Sequence, residues 1–255
     1  MEIVPFSEKW KTKLWEYILR FIPDFHHIVG RLEKEGEIFT IHLAINEKQH
    51  IKGTMTLFYG LFAEIRGSEE AIEKLINILP KKTQMINIYE EYKHLLIENY
   101  PNPLKSGIDI FFSMSNQELA TRVRFSPKLI EKKTRDEICE LLNRADPEEW
   151  GSLEPQDIPM GPNWSWYGIW EKDKLTCLGS MTLDKCRGTI TYIATCPEQR
   201  NKGLATSMVS FLLKKIFAKV DLALVNARER NDVAIHVYRK VGFEPYRKFY
   251  WMKLK

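Results

Sequence analysis

A basic turn that contains a glycine joins a predicted strand to a predicted helix in the segment CPEQRNKGLATS, residues 196–207. Gly203 lets the backbone come close to a ligand, and Ala205 keeps the next turn of the helix uncrowded. The first backbone N–H groups of a helix have no internal partners and lie at the positive end of its dipole, so they bind anions readily. Arg200 and Lys202 add positive charge. The segment predicts a phosphate site, although a solvated strand-to-helix turn explains it equally well when it is taken alone.

A second group of residues lies in the segment NDVAIHVYRKVGF, which begins 31 residues after Arg200. Asn231 precedes a predicted helix, and Tyr238 lies seven residues further, two turns along a similar face. On their own these residues fit an N-cap asparagine, a half-buried tyrosine and a helix that ends at Gly242. Those separate roles leave unexplained why both segments occur at this spacing.

Together the two segments resemble the signatures of the GNAT superfamily of acyl-CoA N-acyltransferases. The family's phosphate turn, R/Q-x-x-G-x-G/A, is matched by RNKGLA, and the preceding IATCPE is similar to the family's approach to that turn. The second family pattern, N-x-x-A-x-x-L/V-Y-x-K-x-G-F, is matched at Asn231, Ala234, Val237, Tyr238, Lys240, Gly242 and Phe243. The resemblance covers roughly residues 118–255.

The resemblance implies an α+β fold with a mixed, mostly antiparallel sheet flanked by helices, in which the parallel fourth and fifth strands splay apart. It also implies acetyl-CoA as the co-substrate and direct transfer of the acyl group to an amine. The pantetheine arm would pair with the strand at Ile193, Ala194 and Thr195, and Asn231 would touch it. The turn would hold the pyrophosphate through Arg200, Asn201, Lys202, Gly203, Leu204, Ala205 and Thr206. Tyr238 would donate a proton to the departing thiolate.

The sequence departs from some relatives at the position of the general base. An amine with a pKa near ~10 is almost wholly protonated at neutral pH and cannot attack. Some relatives carry a glutamate five residues before the motif asparagine, and here that position is Asn226, which cannot accept the proton. Glu229, Asp184, His236 or an acid in the segment 146–157 could act through water. An acceptor that arrives neutral, or proton loss along a chain of waters, is equally open.

The elements around the two motifs follow from hydrophobic spacing in the second part of the chain, residues 106–255. A helix is predicted in TRDEICELLNRA, with Thr134 and Glu137 as a capping pair, followed by a long loop with short helical pieces. Three strands then form a meander, and a helix from about Leu204 to Lys219 follows. The strand DLALVN, the helix DVAIHVYRKVG and the closing strand FYWMKL complete the order. The helical crossover predicts that the fourth and fifth strands of this half lie parallel.

The first part of the chain, residues 1–105, has a similar order of predicted elements. A helix in SEKWKTKLWEYILRF and a second short helix capped by Asp24 precede a hairpin and a strand, LFAEIRG. A helix capped by Ser68, a strand in QMINIY and a helix in EEYKHLLIENY follow. This order favours a degenerate GNAT-like copy, a tandem pseudo-repeat as in glycine N-acyltransferase-like proteins. The copy has Gly67 but no Gly or Ala two residues later, and Glu69 and Glu70 repel phosphate. An unrelated α+β domain is the alternative.

The remaining features of the sequence narrow the class of protein. A net charge of +4, mixed along 255 residues, argues against nucleic acid, and four cysteines without CxxC spacing are typical of reduced thiols. No signal peptide or membrane span is recognised, so the cytoplasm is expected. A monomer or a homodimer is also expected. His26 and His27 are interpreted as surface or capping residues, and no metal site is predicted. Trp164, Trp166, Tyr167 and Trp170 are expected to divide between the core and an acceptor pocket.

Three functions therefore compete. The first is an N-acetyltransferase that moves the acetyl group of acetyl-CoA to a primary amine on a small molecule or a protein. The second is a longer-chain acyl-CoA N-acyltransferase of the glycine N-acyltransferase-like type. The third is a non-catalytic CoA-binding regulatory module, which the absence of the glutamate favours and the presence of Tyr238 opposes.

Overall fold

The structure is a computed structural model that describes residues 1–29, 39–115, 123–130 and 135–254. It divides into two compact units, each discontinuous in sequence. The first contains Met1–Phe111, Arg228–Arg230 and Tyr246–Lys255, and the second contains Phe112–Ala227 and Asn231–Pro245. The predicted boundary between residues 105 and 106 stays a prediction. The two units are not separated by a single point in the chain, since most of the closing strand, Tyr246–Lys255, belongs to the first unit.

The strands and helices of the described residues agree with most of the predicted order. The strands are β1 (Glu2–Pro5), β2 (Phe39–Ile45), β3 (Ile51–Phe58), β4 (Phe62–Gly67), β5 (Met85–Tyr89), β6 (Lys105–Ser115), β7 (Lys128–Leu129), β8 (Trp164–Glu171), β9 (Lys174–Leu183), β10 (Gly188–Thr195), β11 (Leu222–Arg228) and β12 (Glu244–Lys253). The helices are α1 (Lys11–Leu19), α2 (Glu69–Ile76), α3 (Lys93–Asn99), α4 (Arg135–Ala145), α5 (Pro147–Trp150), α6 (Leu204–Phe217) and α7 (Asp232–Val241). The sequence did not predict β1, β6 and β7.

In the first unit β1 to β4 are antiparallel neighbours, β5 pairs with β4 in parallel, and β12 pairs with β5 in antiparallel. The helix α2 covers this sheet with a stripe of four buried side chains, Ala71, Ile72, Leu75 and Ile76. Ser68 stands at its N-cap as predicted, but its side chain makes no capping hydrogen bond. The parallel pairing of β4 with β5 ends at Glu64 and Asn87.

One prediction at the start of the chain is wrong. Asp24 does not cap a helix, since it lies inside a short 3₁₀ helix over Ile22–Phe25 and is buried. His26 follows that helix as its C-cap, with Nδ1 3.1 Å from the carbonyl oxygen of Pro23, and His27 is exposed, in agreement with the predicted capping or surface roles. The predicted continuation of this helix over residues 30–34 lies outside the described residues, as does Thr134 of the capping pair.

In the second unit the predicted meander is confirmed, with β8, β9 and β10 antiparallel in turn, and β11 joins β10 in parallel. The helix α6 packs close to one face because two glycines of the sheet leave room for it. A Cβ at Gly179 would lie 2.6 Å from Cγ of Met208, and a Cβ at Gly188 would lie 2.5 Å from Cγ2 of Ile216. The helix α4 packs against β9 and β10 and buries Ile138, Leu141 and Leu142 in a second core.

None of the helices in the described part of the chain has the length and apolar character needed to span a membrane.

Candidate functional site

The parallel strands β10 and β11 pair over only a short length. Gly188 and Thr189 pair with Ala223 and Leu224, and the described residues of the two strands make no further pairs. The strand β10 continues to Thr195 and carries an irregularity between Ile190 and Tyr192 in its pairing with β9. The edge of β10 beyond Thr189 therefore has main-chain groups that β11 does not satisfy, as an added extended chain would require.

These unpaired main-chain groups belong to the residues predicted to meet pantetheine. Ile193 and Thr195 are half-buried and Ala194 is buried. Ala194 packs into the core under α4, whereas Cδ1 of Ile193 lies 2.9 Å from the Cβ position of Gly179, on the side of α6. Successive side chains thus point to opposite faces and leave the strand edge accessible to a partner.

The turn between β10 and α6 has the backbone that an anion site needs. Asn201 has φ 63° and Gly203 has φ 82°, so two residues of the turn adopt left-handed conformations. A Cβ added to Gly203 would meet no atom within 4 Å, so the space in front of the turn is open. The backbone N–H groups of residues 201–206 donate to no other described residue, and the first turn of α6 carries no acidic side chain.

The two basic residues of the turn have partners within the second unit. Arg200 donates from Nη2 to the carbonyl of Ala145 at the end of α4, at 2.5 Å. Lys202 donates from Nζ to Oε1 of Gln199. Both side chains are exposed. Arg200 thus holds the turn against α4, and the groups directed at the open space are mainly the backbone N–H groups.

Asn231 is the N-cap residue of α7. Its Oδ1 accepts a hydrogen bond from the backbone N–H of Ala234 at 3.0 Å. Gly242 ends the same helix with φ 106°, and the N–H of Phe243 returns to the carbonyl of Tyr238 at 3.0 Å. These two caps fix the length of α7 and therefore the position of Tyr238 on it.

Tyr238 is only 6% exposed and lies among aromatic side chains. Its ring meets Phe112 and Phe243 edge-on, at centroid distances of 5.8 and 6.1 Å. Burial raises the pKa of Tyr238 above its ordinary value, and its hydroxyl makes no hydrogen bond to any other described residue. The hydroxyl is therefore protonated at physiological pH. Sequence reasoning missed Phe112, although the alternating pattern GIDIFFSM that contains it is typical of a strand.

The two acids considered as general bases, Asp184 and Glu229, form ion pairs with basic side chains. Asp184 accepts from the N–H groups of Cys186 and Arg187, and it pairs with the Arg187 guanidinium at 3.1 Å. Glu229 pairs with Lys248 at 2.5 Å within the first unit. Asn226 is exposed on β11, and His236 is exposed on α7.

Acids close to the turn and in the loop before β8 are also engaged. Hydrogen bonding from the Cys196 thiol and the nearby Arg144 guanidinium hold the pKa of Glu198 below its usual range, so it is a weaker base than an ordinary glutamate. Asp146 and Asp157 cap short helices in the loop. Cys196 itself is buried.

A group of stacked aromatic side chains covers the face of β8 and β10 on the side of α4. Trp166 is buried and stacks on Tyr192 at 5.1 Å, while Trp164 lies 6.4 Å from Trp166 in a nearly parallel orientation. Trp150 contributes from the end of α5 at 6.2 Å from Tyr192. Trp166 thus belongs to the core and Trp164 is half-buried, while an acceptor pocket lined by these side chains stays a prediction.

Comparisons with known proteins agree with this arrangement. The family described as FR47-like protein matches residues 166–252. An acetyltransferase of Yersinia pestis is 35% identical over 72 residues, which are 27% of this chain and 51% of that protein. The chain thus spans about half the length of the curated relatives that it matches.

Among solved structures, a GCN5-related N-acetyltransferase from Sphaerobacter thermophilus covers 98% of the chain, and 94% of its own length is covered, with a TM-score of 0.63 and 11% identity. A tandem GNAT protein from the clavulanic acid biosynthesis pathway covers 98% of the chain, and 97% of its own length is covered, with a TM-score of 0.60 and 14% identity. The expected GNAT fold is therefore confirmed by these structures, and the match to the FR47-like family covers residues 166–252.

Proposed function

We propose that the protein is an N-acetyltransferase that transfers the acetyl group of acetyl-CoA directly to a primary amine. The observation that carries the proposal is the open turn before α6, where left-handed Asn201 and Gly203 expose backbone N–H groups beside the separated edge of β10. One such turn is a weak signal, but a strand edge within the same unit that can pair with an extended arm gives it a consistent ligand. The matching acetyltransferase relatives support the same chemistry.

Each part of acetyl-CoA has a complementary group in this arrangement. The pyrophosphate binds the N–H groups of residues 201–206, while the pantetheine amides pair with main-chain groups of Ile193 and Thr195. Arg200 does not contact phosphate. Its hydrogen bond to the carbonyl of Ala145 instead holds the turn against the end of α4. Lys202, which is exposed, adds a positive charge that raises the local concentration of the anion.

Tyr238 assists the departure of the thiolate by donating a hydrogen bond. Because a thiol has a pKa of about 8.5, below that of a buried phenol, complete proton transfer from Tyr238 is uphill. Donation of a hydrogen bond to the developing charge costs no such transfer and is strong in a site that excludes water. Phe112 and Phe243 provide that exclusion and fix the ring.

Neither Asp184 nor Glu229 is placed to take the proton of the acceptor amine as a general base. Asp184 and Glu229 are tied up in ion pairs, and Asn226 cannot accept a proton. The arrangement therefore favours an amine with a low pKa, or one that loses its proton to water before it attacks. The half-buried Trp164 and Tyr192 offer an apolar wall for the carbon skeleton of such an acceptor.

The proposal is tested by turnover of acetyl-CoA with a panel of amines whose pKa values range from about 7 to about 10. Free thiol is measured together with the acetylated product. We expect turnover that depends on the amine and falls as its pKa rises at fixed pH. Tight CoA binding with no turnover on any amine would support the regulatory module, and preference for longer acyl chains would support the glycine N-acyltransferase-like alternative.

A further inference from the structure

The first unit brings together two histidines and a glutamate that are far apart in sequence. His26 and His27 follow the 3₁₀ helix over Ile22–Phe25, and Glu64 lies on β4, 37 residues after His27. One ligand atom from each of the three side chains lies within 4.8 Å of the others. Spacing along the chain gave no sign of this cluster, because the fold of the first unit creates it.

The distance between two of these groups matches that of ligands sharing one ion. Nε2 of His27 lies 3.2 Å from Oε1 of Glu64. Two ligand atoms about 2.0–2.1 Å from a tetrahedral ion are about 3.3 Å apart, so only a small adjustment would admit an ion between them.

The histidines are oriented in the manner of metal ligands. Nδ1 of His26 lies 3.1 Å from the carbonyl oxygen of Pro23. A ligand histidine commonly donates one ring N–H to a carbonyl, which fixes the ring and keeps the lone pair on the other nitrogen for the ion. The rings of His26 and His27 lie 3.8 Å apart between centroids, and one nitrogen of each lies within 4.8 Å of the other and of a carboxylate oxygen of Glu64.

The surroundings suit an ion that is partly shielded from water. Glu64 is 4% exposed and His26 is 8% exposed, whereas the side chain of His27 is 43% exposed and provides a route of entry. The rings of Phe111, Phe58 and Phe62 lie next to the two histidines. A buried carboxylate is unusual without a strong partner, and the nearest guanidinium nitrogen, from Arg66, is 3.6 Å away.

Arg66 does not take the place of the ion, because its short hydrogen bonds go elsewhere. It donates to the carbonyls of Asp24, Ile65 and Asn87 and to Oδ1 of Asn87, at 2.6–3.1 Å. Its charge offsets that of Glu64 at longer range, while the oxygen nearest His27 keeps lone pairs for a second cation.

We propose that His26, His27 and Glu64 of the first unit bind a divalent first-row transition-metal ion. Two imidazoles and one carboxylate are the donor set of zinc and of other first-row divalent sites, and a hard ion such as Mg²⁺ would prefer oxygens. Three protein ligands leave further positions for water. The first unit would thus carry a binding site of its own, independent of the site proposed for acetyl-CoA.

The test uses the full chain and Zn²⁺ alone, measured by equilibrium dialysis, with Co²⁺ as a spectroscopic probe. We expect one Zn²⁺ per chain and visible Co²⁺ bands of low coordination number. Glu64→Gln and His27→Gln should each weaken Zn²⁺ binding at least about tenfold, since each removes a ligand. His27→Gln serves where Glu64→Gln fails to fold, because His27 is partly exposed.

The matched control is Glu69→Gln. His94 and Glu69 also lie 3.2 Å apart in the first unit, but both side chains are about half exposed and the metal cluster of the described residues does not include them. Glu69→Gln should leave Zn²⁺ affinity unchanged. The proposal is overturned if the wild-type chain binds no Zn²⁺, or if it binds equally well after either substitution in the cluster, as it would at the cysteines.

Discussion

Each unit contains a parallel strand followed by a glycine and a helix, and the two turns differ in whether a ligand can approach. Gly67 of the first unit has φ 142°, but a Cβ there would lie 2.4 Å from Cα of Gly53, so the turn is packed against β3. The N–H of Ser68 already donates to Lys52, and two glutamates open α2. Around Gly203 the space is open and the first turn of the helix has no acid.

The gaps between the parallel strands that precede the two turns also differ: the gap in the first unit is filled, and the gap in the second unit is open. Beyond the last pair of β4 and β5, the Arg66 guanidinium bridges the carbonyls of Ile65 and Asn87, so a side chain of the protein occupies the place between the strands. The strands β10 and β11 separate after Thr189 and Leu224 without such a bridge among the described residues. One order of elements thus supports a filled opening and an accessible one, and a few side chains decide which.

The largest expected effect is on stability, at the filled opening. Arg66→Ala should lower the free energy of unfolding by about 3–5 kcal/mol, because it leaves the buried oxygens of Asn87 without their donor and removes the positive charge 3.6 Å from the buried Glu64. Urea unfolding followed by circular dichroism measures it, and Arg20→Ala, on the exposed end of the α1 helix, is the control. A loss below about 1 kcal/mol would mean that Arg66 does not hold the two strands together.

The next effect is on ligand binding, at the open turn. Gly203→Glu places bulk and negative charge where the pyrophosphate is proposed to bind, and we expect CoA affinity to fall at least about a hundredfold. Gly203→Ala imposes the same left-handed strain without the charge, so it should cost stability of about 1–2 kcal/mol and much less affinity. Calorimetry on folded protein measures both. Unchanged affinity in Gly203→Glu would remove the turn from the binding site.

A smaller effect is expected on catalysis, at Tyr238. Tyr238→Phe keeps the ring against Phe112 and Phe243 and removes only the hydroxyl, so kcat should fall roughly ten- to a hundredfold with CoA affinity nearly constant. The control is Tyr250→Phe, a buried tyrosine of the first unit. A parallel loss of affinity and rate would instead make Tyr238 a cofactor-binding residue, and an unchanged rate of acyl transfer would make it a packing residue.

No effect on CoA binding is expected from changes at the turn of the first unit that contains Gly67. Calorimetry should give one CoA per chain, since Gly67 and Arg66 block the first unit. The double variant Glu69→Gln, Glu70→Gln removes the repelling acids without opening the turn, so one CoA should still bind with unchanged affinity. A second CoA in the wild-type chain would contradict the contrast between the units, and a second one only in the variant would show that charge alone closes the turn.

The sequence predicted the parts of this molecule that depend on neighbours in the chain. The meander and α6 follow from apolar spacing, and the caps at Asn231 and Gly242 from residue type. β6 was missed because a segment with two prolines precedes it. The bridge made by Arg66 could not be predicted, since its partners Asp24 and Asn87 lie 42 and 21 residues away.

The placement of β12 has a consequence for biosynthesis. Phe249–Lys253 pair with Met85–Tyr89, so the outer edge of β5 stays uncovered while residues 112–245 are being translated. At about 5–20 residues per second that interval is roughly 7 to 27 seconds. During it, β5 is a short apolar strand with unsatisfied backbone groups, a template on which another nascent chain could add a strand. The first unit thus begins to leave the ribosome first but is completed last, when β12 is made. The time for which chaperones can reach the uncovered edge of β5 is therefore set by the length of the second unit.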